Sequence, residues 1–135
     1  MDIKELSIDE LREAREQSYH SAIEYFNRAC LYGEYALLSG QRTRQLTGAT
    51  IGSACVSGYM KIDEDVSPLA ASVSAGITLV FAFAACYQKY KEIYCREQRR
   101  EFQSFSFIAN ENTAVYSMEL LQRRHSPALR IVQNE

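Results

Sequence analysis

The stretch that decides the fold is Gly48–Cys86, "GATIGSACVSGYMKIDEDVSPLAASVSAGITLVFAFAAC". In it two uncharged runs flank the acidic knot "KIDED" at Lys61–Asp65. From Val66 to Cys86 no side chain carries a charge, and the second half of that run, "ITLVFAFAAC", is strongly apolar. At 1.5 Å rise per residue such a helix covers about 30 Å, the thickness of a bilayer's hydrocarbon core. The first run, Gln45–Met60, is shorter and also uncharged, but more than half of it is Gly, Ser, Thr, Ala and Cys. Its length corresponds to roughly 24 Å of helix, and alone it does not read as a membrane span.

Two features around the runs raise the first one. Arg42 and Arg44 precede it, and Lys89, Lys91, Arg96, Arg99 and Arg100 follow the second, whereas the connection holds Lys61 against Asp63, Glu64 and Asp65. That asymmetry predicts a hairpin with both termini on the cytoplasmic side. Tyr32 and Tyr35 lie before the first run, Tyr59 closes it, and Tyr87, Tyr90 and Tyr94 follow the second. Amphipathic rings near the ends of apolar spans make interfacial belts, although the same stripe also suits a soluble core.

Working outward, "SIDE" at Ser7–Glu10 is a capping box that should start a helix. Behind it Ile8, Leu11, Tyr19, Ala22, Ile23, Phe26, Ala29, Cys30 and Leu37 recur at steps of three and four and define one expected apolar face. No Pro precedes Pro68, so one long helix is expected from about Ser7 to Met60. Ser67–Pro68 is a restart signal, Ser as cap and Pro at the first helical position. The second helix should carry a stripe of Tyr87, Tyr90, Tyr94, Phe102, Phe105 and Ile108, break near "NENT" (Asn110–Thr113), resume to Arg124 and stop at "HSP" (His125–Pro127).

The expected fold is therefore all-α: a long antiparallel helical hairpin with a two-helix transmembrane tip, extended cytoplasmic helices and a tendency to oligomerise. Its segments are a cytoplasmic helix 7–44, a first membrane segment 45–60, a turn 61–67, a second membrane segment 68–87, a cytoplasmic helix 88–124 and a tail 125–135.

The chemistry classes are thin. Fifteen basic against seventeen acidic residues give a net charge of −2, which does not point to nucleic acid. The acidic N-terminus lacks the apolar core of a secretory signal. His20 and His125 lie far apart, and no phosphate-cradling Gly loop or CxxC pair occurs. Cys30, Cys55, Cys86 and Cys95 are expected to be four small buried thiols rather than a disulfide framework. No enzyme, cofactor or metal is expected.

What remains is packing chemistry. Gly48 and Gly52 form a GxxxG, and Ser53/Ser57 and Ala54/Gly58 repeat its spacing. In lipid, small residues bring helices together because no hydrophobic force does so. The candidate packing or pore-lining residues are Thr47, Gly48, Thr50, Gly52, Ser53, Ser57 and Gly58, with Asp63, Glu64 and Asp65 as an acidic turn. The functional expectation is a two-transmembrane hairpin that self-associates into a pore or membrane-perturbing assembly. Its partners would be the bilayer, further copies, and a protein docked on the cytoplasmic helices. The alternative is a soluble structural or adaptor subunit buried in a large multi-chain assembly.

Overall fold

The structure, a computed structural model, describes residues 3–62 and 67–132, with side chains through Arg124 apart from Lys4. A 3-10 turn at Ile3–Glu5 leads into helix α1, Ile8–Ile62, and helix α2 spans Pro68–Val132. The described residues are all helical, and the two long helices pack against each other as a hairpin.

Both predicted starts form as their chemistry dictates. The Ser7 N–H donates to Glu10 Oε2 at 2.7 Å and the Glu10 N–H donates to Ser7 Oγ at 3.2 Å, satisfying two donors that the first turn would leave orphaned. The Ala70 N–H reaches Ser67 Oγ at 3.3 Å, with Pro68 at the first helical position. The acidic knot Asp63, Glu64 and Asp65 lies outside the described residues.

The expected break at "NENT" does not occur, and α2 also runs on through "HSP" to Val132. Asn110, Glu111 and Asn112 are all exposed, so the two poor helix formers, Asn110 and Asn112, stand in solvent while Ala109 and Thr113 keep the packed face. The Thr113 hydroxyl donates to the Ala109 carbonyl at 2.8 Å and Ser117 donates to the Thr113 carbonyl at 2.7 Å. Local polar bonds thus support the helix there rather than compete with it.

The buried face of α1 also differs from the expected one. Leu11, Ala22 and Ala29 are buried, but Ile8, Tyr19, Ile23, Phe26, Cys30 and Leu37 are exposed. The burial follows a line of small residues at steps of seven: Ala22, Ala29, Ala36, Thr43, Thr50 and Ser57. On α2 the matching lines include Ser74, Cys95, Ala109, Glu92, Ser106 and Leu120. Heptad spacing keeps one seam facing a partner helix. Small side chains predominate in that seam because they let two backbones approach closely, and most larger apolar groups are left outside it, Leu11 and Leu120 being the buried exceptions. For the same reason only Cys95 of the four thiols is buried; Cys30, Cys55 and Cys86 lie off the seam and are exposed.

The chain forms two compact units, each containing part of both helices. The first comprises residues 1–30 and 99–135, the second 31–98. In the first, Tyr25 stacks on Phe102 with centroids 6.2 Å apart and meets Phe105 at 5.5 Å, while the Arg28 guanidinium lies 5.7 Å over the Phe102 ring. Ser106 donates to the Ala22 carbonyl at 3.1 Å, tying the helices where both are smallest. Arg123 donates to the carbonyls of Leu6 and, at 3.1 Å, Ile3, so the N-terminal turn is pinned to α2.

Candidate functional site

The second unit, 31–98, holds both uncharged runs. Its register is antiparallel and fixed by two contacts. The Ser57 hydroxyl donates to the Ser53 carbonyl at 2.9 Å, which leaves its oxygen to accept from Ser74 Oγ at 2.7 Å, with Thr78 Oγ1 at 3.2 Å. Further along, Gly40 faces Glu92: a Cβ on Gly40 would sit 3.4 Å from the Glu92 carboxyl carbon. This register sets the run 45–60 of α1 beside 71–87 of α2, so the two uncharged segments lie at the same level.

Among the described residues, α2 is the one helix long and apolar enough to cross a membrane, with an 18-residue window of mean hydropathy 2.0. None of that window is buried within the chain. Leu69 (75% exposed), Val80 (66%) and Phe83 (74%) show the degree, and Val73, Ile77 and Leu79 are likewise exposed. The core helix of a soluble monomer would be mostly covered. The run of α1 does not reach this apolarity, and what it offers instead is neutrality without loose hydroxyls. Thr43, Thr47 and Thr50 donate to the carbonyls of Ser39, Thr43 and Leu46, each at 2.8 Å, and Ser53 donates to that of Thr50 at 3.1 Å. A hydroxyl bonded to its own helix is tolerated in an apolar medium.

The candidate packing residues divide between two faces. Thr50, Ser53 and Ser57 belong to the seam between α1 and α2. Thr47, Gly48, Gly52 and Gly58 are exposed, with Gly48 and Gly52 on the side of α1 away from the seam, and a Cβ built on any of the three glycines meets nothing within 4 Å. The GxxxG pair therefore takes no part in pairing the two helices of one chain.

The polar end of this unit contains residues the sequence reading did not single out. Glu92 is buried, its side chain 5% exposed, and pairs with Lys89 at 3.1 Å and with Arg96 at 2.5 Å. Gly40 leaves the space that the carboxylate occupies. Gln88 Oε1 is a buried oxygen without a hydrogen-bond partner. The heptad line Ala22–Ala29–Ala36 and the small residue at position 40 were the available signals, obscured by the larger apolar residues beside them. Of the six tyrosines around the runs, Tyr35, Tyr59, Tyr87, Tyr90 and Tyr94 are exposed and Tyr32 is half-buried.

Among the described residues no group of three His, Cys, Asp or Glu side chains is placed to hold a metal ion. In the first unit a shallow groove of about 260 Å³ lies among Arg12, Arg15, Glu16, Ser117, Leu120 and Arg124, its charges of both signs. No protein-family model, curated protein or solved structure matches the chain.

Proposed function

We propose that the protein is a small membrane protein whose second unit inserts as a two-helix hairpin and whose remaining helices stand in the cytoplasm and self-associate. The observation that carries this reading is the apolar run of α2, uncharged from Val66 to Cys86, whose 18-residue apolar window has no buried residue. Exposed apolar surface on this scale calls for a cover, and a bilayer is the cover that matches its length. Because α1 packs beside α2 in register, insertion of one run carries the other with it. The small hydroxyl-bearing face of α1 is tolerable there because α2 shields Ser57 and the helix's own carbonyls hold the remaining hydroxyls.

Self-association is supported by what stays outside the seam. In the first unit Phe26 (59% exposed), Phe107 (69%) and Met118 (60%) are uncovered, as are Tyr19, Ile23 and Leu121. In the second, the open Gly48–Gly52 face suits close approach by another copy. If a polar path forms between copies, that face and Thr47 would border it, since Thr50, Ser53 and Ser57 are engaged in the intramolecular seam. The soluble alternative would cover the same surfaces with other chains of a large assembly.

Fractionation decides between them. Expression followed by separation with and without detergent should place the chain in the membrane pellet until detergent is added. Recovery as a discrete soluble particle without detergent would sink the membrane reading. Leakage from dye-loaded liposomes, compared between the native chain and Gly52→Leu, tests the pore. Leakage that the bulky substitution leaves unchanged would remove the glycine face from the mechanism.

A further inference from the structure

The uncharged segments of the second unit end in a ring of cations at a single level. The register fixed by Ser57 against Ser74 and by Gly40 against Glu92 brings Arg42 and Arg44 of α1 level with Gln88–Tyr90 of α2. Lys89 and Lys91 are therefore their neighbours across the hairpin, and all four side chains are exposed. Acidic residues are missing from positions 35–62 and 67–91, so no acid within those stretches offsets Arg42, Arg44 or Lys91. The first acid beyond it, Glu92, is buried in the seam and engages Lys89 and Arg96 from beneath. Arg42, Arg44 and Lys91 have no ion-pair partner among the described residues. Tyr35, Tyr87 and Tyr90 stand exposed at the same end.

From this arrangement we propose that Arg42, Arg44 and Lys91, with Lys89 at their edge, form a collar that binds the headgroups of anionic phospholipids where the hairpin leaves the bilayer. The inference rests on the membrane reading and adds to it a lipid class and the residues that select it. The chemistry is matched on both sides. An arginine fork binds a phosphate through two parallel N–H donors, and a lysine binds it as a point charge. Exposed tyrosines place an apolar ring toward the acyl chains and a hydroxyl at headgroup depth. Glu92 is buried in the seam and pairs with Lys89 and Arg96, so Arg42, Arg44 and Lys91 face outward without an acid beside their exposed ends. Each basic side chain near an anionic surface strengthens binding about fivefold, and the attraction fades within a Debye length.

The test is cell-free synthesis of the full chain in the presence of vesicles, followed by flotation. The vesicles are phosphatidylcholine alone or phosphatidylcholine mixed with phosphatidylglycerol. The variant is R42Q/R44Q/K91Q, which leaves the Lys89–Glu92–Arg96 pairs intact, and R12Q/R15Q in the first unit is the control; circular dichroism confirms that each remains helical. The expected result is insertion into both vesicle types with at least ~tenfold preference for the anionic ones at low salt. That preference should collapse at high salt and in the triple variant, and persist in the control. Equal insertion into both vesicle types would overturn the collar and leave the membrane reading standing. A preference that survives the triple substitution would also overturn it, as would release of the native chain from anionic vesicles by excess polynucleotide at low salt. Failure to insert into either vesicle would overturn both readings.

Discussion

Glu10 is the residue whose ionisation the fold uses most plainly. The Ser7 backbone N–H, and then the Ser7 hydroxyl, hold its carboxyl below the ordinary carboxylate value. A depressed folded-state pKa contributes stability that is present above the unfolded value and lost as pH falls through the folded one. The protection of the amides at residues 8–11, taken relative to the intrinsic exchange rate at each pH, should therefore fall on acidification below about pH 4.5, and Glu10→Gln should flatten that dependence. Ser7→Ala removes the reciprocal bond and should cost about 1 kcal/mol of local helix stability, read by the same exchange. At the other end of the scale sits Gln88, whose Oε1 is buried without a partner. An unsatisfied buried polar atom costs about 1–3 kcal/mol, so Gln88→Met should be neutral to stabilising in a denaturant or thermal melt. A loss of more than about 1 kcal/mol would mean that the oxygen has a partner in the working assembly.

Among the elements, the two helix starts were legible in the sequence because caps are local: Ser7 with Glu10, and Ser67 with Pro68, need no tertiary partner to be recognised. The break expected at "NENT" failed for a tertiary reason, since Asn110–Asn112 project to solvent and their capping potential goes unused. The packed face was legible in period but not in phase. Phe26, Ile23 and Leu37 outweigh alanine on any hydrophobicity scale, yet close helix approach selects Ala22, Ala29 and Ala36. A contrast between neighbours checks this. Ala29→Leu forces a large group into the seam and should destabilise by about 1–3 kcal/mol in a thermal melt. Phe26→Ala should leave helix pairing nearly unchanged and instead weaken association between copies, measured by sedimentation in detergent. Gly40→Leu should resemble Ala29→Leu, because a Cβ at position 40 would already sit 3.4 Å from the Glu92 carboxyl carbon. Of the candidate site, the sequence yielded the small-residue run itself but not its division. Period alone did not show that Ser57 faces Ser74 while Gly48 and Gly52 turn away.

At the scale of the whole molecule most large apolar side chains are exposed while the buried ones are mostly small, with Leu11 and Leu120 of the first unit the large exceptions. The apolar run of α2 was legible because an unbroken uncharged stretch, Val66–Cys86, needs no structure to be recognised. Its exposure was not, since length and apolarity alone also suit a buried core helix. The native cysteines sample the surfaces in question. Cys30 belongs to the first unit and is exposed; Cys55 is exposed on the uncharged run of α1; Cys95 is buried in the seam. A water-soluble maleimide reacts with thiolates in water and is excluded from hydrocarbon. Labelling of intact, opened membranes containing the native chain, with site occupancy read by mass spectrometry, tests the central claim most directly. The account predicts that Cys30 labels rapidly while Cys55 labels only after the bilayer is dissolved under denaturing conditions. Labelling of Cys55 at the rate of Cys30, with the membrane intact, would contradict it.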